Sequence, residues 1–235
     1  MINIMTKYIV ATATTSIYFY ETQQLLNSLN NLLPQTTEVI IYDNGLLQSQ
    51  IVIITTKFNY LNITLIKRYL TIYEQTSYYF KTIAHKYIRE KYENCVYIWL
   101  DAKTMLKYDC DELELMLINQ PVYSHKPFNE AEDLWTDKRT MDLMEIDEKD
   151  RKTPQYQASA MMFDLRTNKG IDFLDKLIDY NNDKDILTPR GTKKGFKTPT
   201  HRQDQSVFSC LLKKYGYTKN PSNWAICHNT IHKIN

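Results

Sequence analysis

The chain has 235 residues, a net charge of +2, 43% apolar residues and 24% charged ones. That composition is ordinary for a folded globular protein and lacks the charge excess of a nucleic-acid or acidic-membrane binder. Five glycines, with neither G-x-x-x-x-G-K-[ST] nor G-x-G-x-x-G, exclude a glycine-built phosphate loop.

Tyr8–Ala13 is a short β-rich run leading into Thr14, Thr15 and Ser16, and predicts a buried first strand with a hydroxyl-rich loop. Leu25, Leu26, Leu29, Leu32 and Leu33 recur at helical spacing over Glu21–Leu33, and Pro34 stops that helix. Glu38–Tyr42 is a second buried strand, closed by the turn Asp43-Asn44-Gly45. Strand, helix, strand in this order is a βαβ unit, whose right-handed crossover makes the strands parallel. Gln48–Thr56 reads equally as a short helix or an extra strand, and Leu61–Lys67 alternates as a third strand. Ser77–Tyr92 carries Phe80, Ile83, Ala84, Tyr87 and Ile88 at helical spacing, with Lys81 and His85 one turn apart on a different face.

Tyr97–Leu100 is the fourth strand and delivers Asp101 to its tip. Asp109-Cys110-Asp111 caps a helix through Leu117. Gln120–Pro127 reads as a fifth strand, and the acidic stretch Glu130–Arg151 as a surface helix or a mobile loop. Gln155–Asp164 reads as one strand, Lys169–Asn181 as an amphipathic helix, and Ile186–Thr200 as a Pro/Gly/Lys loop. A last helix on Val207, Phe208, Leu211 and Leu212 ends at Gly216, and the tail carries Trp224, His228 and His232. No linker or repeat interrupts the chain, so the expectation is one α/β domain with a mostly parallel central sheet flanked by helices. The 18 tyrosines are scattered and read as core and surface filler. The four cysteines form no C-x-x-C pair. A reducing, cytoplasmic setting follows, with no membrane span and no signal peptide.

Open α/β sheets bind ligands outside the carboxyl ends of their strands. Asp101 lies at such an end, where a carboxylate either starts a turn or coordinates Mg²⁺ or Mn²⁺. Lys103 lies on the same side of a continuing strand and meets either solvent or a phosphate. Asp204, in His201-Arg202-Gln203-Asp204-Gln205-Ser206, stands in the first turn of a helix after a basic, glycine-bearing loop. It is a helix-dipole carboxylate, a base for a hydroxyl nucleophile, or a sugar-hydroxyl acceptor. His228 reads as a surface histidine or a ligand for a divalent ion. Lys81 reads as a solvated helix lysine or a hand on a diphosphate, and Asp43-Asn44 as a plain turn or a base and ribose site.

In this order the elements resemble the GT-A glycosyltransferases, which use nucleotide-sugar donors. The landmarks are Ile9–Ala13, Val39–Asn44, Trp99-Leu100-Asp101-Ala102-Lys103-Thr104, His201–Ser206 and His228. The third looks like the family's Leu-Asp-x-Asp-Thr segment, with Lys103 in place of the second Asp. The resemblance implies one GT-A-like domain, with a nucleotide-binding half over about 1–107 and an acceptor-side half over about 108–235. It implies transfer of a hexosyl or pentosyl group, inverting or retaining, from a UDP- or GDP-sugar to a glycan or other hydroxyl acceptor. It places Thr12, Thr14, Asp43, Asn44, Lys81, Leu100, Asp101, Ala102, Lys103, Arg202 and Gln205 on the donor. Asp204 is placed in catalysis, and Asp101 with His228 on a Mn²⁺ or Mg²⁺ ion that Lys103 partly replaces. A microbial or viral cytoplasmic enzyme is the expected setting. The alternatives are a nucleotide-sugar-binding or glycan-assembly protein without catalysis, and a nucleotidyltransferase, which would want a glycine-rich basic loop after the first strand.

Overall fold

The structure, a computed structural model, describes residues 6–188, 201–219 and 224–227. Its centre is β4 (Cys95–Leu100), in which all six residues are buried. A strand covered on both faces needs a near-continuous apolar run, and Cys-Val-Tyr-Ile-Trp-Leu supplies it. On one side of β4 lies β1 (Lys7–Thr14), then β2 (Glu38–Asp43) and β3 (Asn62–Lys67), all parallel. On the other side lie β9 (Ala160–Asp164), antiparallel to β4, and β6 (Val122–Ser124), antiparallel to β9. Five of the six strands therefore point the same way, as expected.

Alternation along β1 assigns the two cores. Ile9 and Ala11 join Trp99, Phe163 and Phe208 on one face, whereas Tyr8 and Val10 join Leu25, Leu26 and Leu29 on the other. The first face is covered by α4 (Tyr79–Lys91), α8 (Asn168–Asn182) and α10 (Gln203–Lys214); the second by α1 (Phe19–Leu32), α2 (Gln48–Lys57) and α5 (Cys110–Leu117). α8 illustrates the logic. Phe173, Leu174, Leu177 and Ile178 are buried at helical spacing, each worth about 1.5–3 kcal/mol of transfer free energy. Gly170 in its first turn lets the helix approach β9, because a Cβ there would stand 2.1 Å from the Asp164 carbonyl oxygen.

Several expectations are corrected. Gln48–Lys57 is a helix. Lys81 and His85 are both buried, which overturns the reading of Lys81 as a solvated helix lysine. Gln155–Asp164 is split into β8 (Pro154–Tyr156) and β9, and β8 pairs with β7 (Pro127–Ala131) in a small separate sheet. The acidic stretch is not a single surface helix or a loop. It takes in the end of β7 and two short helices, α6 (Lys138–Leu143) and α7 (Glu148–Arg151), exposed on their outer sides, and it buries Met141, Met144 and Ile146. Its Glu132 is fully buried because Lys213 Nζ lies 2.7 Å away and Thr136, Gln155 and Ser209 donate to its carboxylate. A charge survives burial when it is paired and hydrogen-bonded in this way.

Candidate active site

The chain runs β1, β2, β3 outward on one side and then returns to place β4 on the other side of β1. The carboxyl ends of β1 and β4 are thus the switch point of the sheet, where open α/β proteins form a ligand crevice. A cleft of about 260 Å³ lies there, lined by Ala13, Tyr18, Tyr78, Phe80, Lys81, Trp99, Asp101, Ala102, Lys103 and Cys227. A second, of about 650 Å³, shares Ala13, Tyr18, Tyr78 and Phe80 with it and extends over Thr14, Asp43, Asn44, Lys67, Arg68 and Tyr69. The two together follow the ends of β1, β2, β3 and β4.

Lys81, in the first turn of α4, is the hub of the smaller cleft. Its ammonium lies 3.0 Å from Asp101 Oδ1, 2.9 Å from Asp204 Oδ2 and 3.2 Å from the Ala158 carbonyl oxygen. An ammonium carries three protons, and three acceptors surround this one. Burial opposes its charge, but Asp101 and Asp204 outweigh burial and hold its pKa above the ordinary lysine value. Asp204 is only 7% exposed. Burial raises its carboxyl pKa, against the pull of Lys81. Asp101 Oδ1 also accepts from Trp99 Nε1 at 2.8 Å.

Asp101 does not continue a strand. Thr104 N donates to its carbonyl at 2.7 Å, so Asp101-Ala102-Lys103-Thr104 is a tight turn before β5 (Thr104–Leu106). Lys103 reaches the cleft through this turn, with its ammonium 4.8 Å from the centre of the Tyr18 ring. Two backbone positions with left-handed φ bring the other parts in: Tyr78 (φ 58°) just before α4 and Gln203 (φ 39°) at the start of α10. Such conformations cost roughly 1–2 kcal/mol in non-glycine residues and cluster at functional sites.

Other expected residues are placed differently. Thr14, Asn44 and Ala102 line the clefts. Asp43 does so too, but its Oδ1 closes the turn by accepting from Gly45 N and Leu46 N. Thr12 is wholly buried on the α1 side of β1, and Leu100 is core, so neither side chain reaches a ligand. Both err for one reason: alternate strand residues face the core. Arg202 lines neither cleft; its guanidinium carbon lies 4.4 Å from the Phe128 ring centre and 3.9 Å from that of Trp135. Gln205, half-buried, turns to the Glu132 cluster and donates to Gln155 Oε1. His228 lies outside the described residues, and among those residues no group of three or more His, Cys, Asp or Glu side chains is placed to hold a metal. Tyr18, Tyr78, Phe80 and Trp99 line the cleft, although the sequence reading treats the tyrosines as filler. The position of Tyr78 three residues before Lys81 is the signal that could have found it.

No protein-family model matches the chain, and no curated protein sequence matches it. Among solved structures it is similar to apo WbbM, a bifunctional glycosyltransferase, with a TM-score of 0.57 and 13% identity. That match covers 89% of this chain but 38% of WbbM. It is also similar to apo mouse xyloside xylosyltransferase 1, with a TM-score of 0.52 and 10% identity over 89% of this chain and 83% of that one. The fold is that of the GT-A glycosyltransferases. In this fold the crevice just described lies at the carboxyl ends of the strands, with Asp101 directly after β4. No helix among the described residues is long and apolar enough to cross a membrane.

Proposed function

We propose that this protein transfers a sugar from a nucleoside-diphosphate sugar to a hydroxyl acceptor. The observation that carries the reading is the buried ammonium of Lys81, which ties Asp101 at the end of β4 to Asp204 at the start of α10, beside two connected clefts. In this reading the larger cleft takes the nucleoside, near Asp43 and Asn44. The diphosphate and sugar occupy the smaller one, over the Asp101 turn. The bond between the anomeric carbon and the phosphate oxygen breaks, and the electron pair leaves on the nucleoside diphosphate. A new bond forms from the anomeric carbon to the acceptor oxygen, whose proton passes to a base or to the leaving phosphate. Charge developing on the leaving group is where preorganised cations act most strongly.

Asp204 has two roles open to it, base or donor-sugar ligand. Its buried carboxylate, engaged by Lys81 and away from the cleft lining, favours a positioning role over proton abstraction. The test is turnover and transfer with a panel of UDP- and GDP-sugars, with and without Mn²⁺. A folded preparation that neither binds nor turns over any nucleotide sugar would falsify the proposal. Nucleotide binding without turnover would favour the alternative of a binding protein that has kept the fold.

A further inference from the structure

We infer that the anionic part of the ligand is held by the Lys103 ammonium without a divalent metal; this rests on the nucleoside-diphosphate reading above. The GT-A resemblance implies a cation shared by two motif carboxylates and a histidine. Among the described residues, the donors at the site do not fit one. The motif supplies a single carboxylate, Asp101, and its Oδ1 already receives Trp99 Nε1 and the Lys81 ammonium. The other nearby carboxylate, Asp204, is engaged by the same lysine. The second motif position is itself a cation. A divalent ion bound at Asp101 would meet the Lys81 ammonium, 3.0 Å from that carboxylate, in a cleft that Lys103 also lines, and both cations oppose it.

The same arrangement is well suited to an anion. Lys81 is saturated by Asp101, Asp204 and the Ala158 carbonyl; its single charge offsets one of the two carboxylates, and the buried Asp204 lies outside the cleft lining, so the second positive charge at the cleft is that of Lys103. Lys103 differs. Among the described residues no carboxylate lies within ion-pair distance of it, and its contact is the face of Tyr18, which steadies the side chain without neutralising it. Lys103 and Tyr18 line the same cleft, and Tyr18 also lines the larger one. The ammonium therefore lies beside the passage between the two clefts, where a diphosphate joining nucleoside to sugar would run. An ammonium is a compact point charge, suited to a phosphate group whose oxygens can rotate to meet it.

The test is calorimetric titration of UDP and of GDP into metal-stripped protein, in EDTA and again in Mn²⁺, for the parent chain and for Lys103→Ala, Lys103→Arg and Lys103→Asp. One of the two nucleotides should bind in EDTA with an affinity within about threefold of that in Mn²⁺. Lys103→Ala should weaken it by tenfold or more, and Lys103→Arg by much less. The reversed charge of Lys103→Asp should abolish binding in EDTA. Near-ultraviolet dichroism checks that each variant is folded. Binding that requires Mn²⁺ in the parent chain, or that survives Lys103→Ala unchanged, overturns the inference and leaves the nucleotide-sugar reading standing. No binding of either nucleotide in either buffer overturns the inference, and with an inert nucleotide-sugar panel it overturns the reading beneath it.

Discussion

Replacing Lys81 by Met tests whether this residue is a clamp or a hand. Met keeps the length and the helix propensity of Lys, so α4 itself should persist. What disappears is the cation between Asp101 and Asp204, whose oxygens lie 3.0 and 2.9 Å from it. Breaking a buried ion pair by removing one partner costs about 3–5 kcal/mol. That loss should be seen at pH 7.5 as a lower urea midpoint with an unchanged m-value. The loss should also depend on pH. Asp204 already has a raised pKa from burial, and losing Lys81 raises it further. A carboxyl whose native pKa lies above its unfolded value binds its proton first in the folded state. Its unfavourable charge is therefore relieved as pH falls through the native pKa, and the gap between parent and variant narrows by up to about 1.4 kcal/mol per pH unit. Measuring the difference between the two proteins at pH 7.5 and 5.0 cancels the titration they share. A gap below about 1 kcal/mol at pH 7.5, or one that widens on acidification, would refute the clamp. Lys81 would then be a solvent-facing hand whose loss affects ligand affinity alone.

Three buried histidines set a second pH dependence. Burial pushes His85 down to about 3 and His125 and His201 down to about 4. The unfolded chain, with histidine near pH 6.5, takes up protons that the native state refuses, so stability is full above that value and lost as pH falls towards the native pKa values. Between pH 7.5 and 5.0 each should remove about 2 kcal/mol; flat urea midpoints over that range would contradict the assignment. Gly170→Ala should destabilise by about 1–3 kcal/mol, because its Cβ would meet the Asp164 carbonyl oxygen at 2.1 Å; an unchanged melting temperature would show that α8 shifts freely. Asp204→Asn should lower kcat and raise the KM for donor together, as expected of a positioning carboxylate. A fall in kcat alone, with KM for donor unmoved, would return Asp204 to the role of base.

The sheet was legible because its strands are long apolar runs whose order follows from strand, helix and turn signals close together in the chain. The Asp109 cap was legible for the same reason: it is a local exchange with Glu112. What escaped is non-local. β5 is three residues long and is held by a partner far along the chain, so no periodicity marks it. Arg202 looks like a ligand-binding cation in sequence, and only the fold brings the Phe128 and Trp135 rings to it. Glu132 looks exposed for the converse reason, since the lysine that makes its burial tolerable is Lys213. At the site, Asp101 and Asp204 were identifiable one at a time from strand end and helix start. Their junction through Lys81 was not, because a helix-face lysine is ordinarily solvated.

The pairing of β5 with β10 (Ala225–Cys227) also bears on how the molecule is made. Leu106 and Ala225, opposite each other in that ladder, are 119 residues apart, and Cys227 forms part of the cleft wall. At a synthesis rate of about 5–20 residues per second, the Asp101 turn waits roughly 6–24 s for that strand. The sheet and the larger cleft at the ends of β1, β2 and β3 are encoded early and have time to settle first. The cleft wall is a late addition, so a nascent chain short of Cys227 carries Lys81 and Lys103 but lacks that part of the pocket around them.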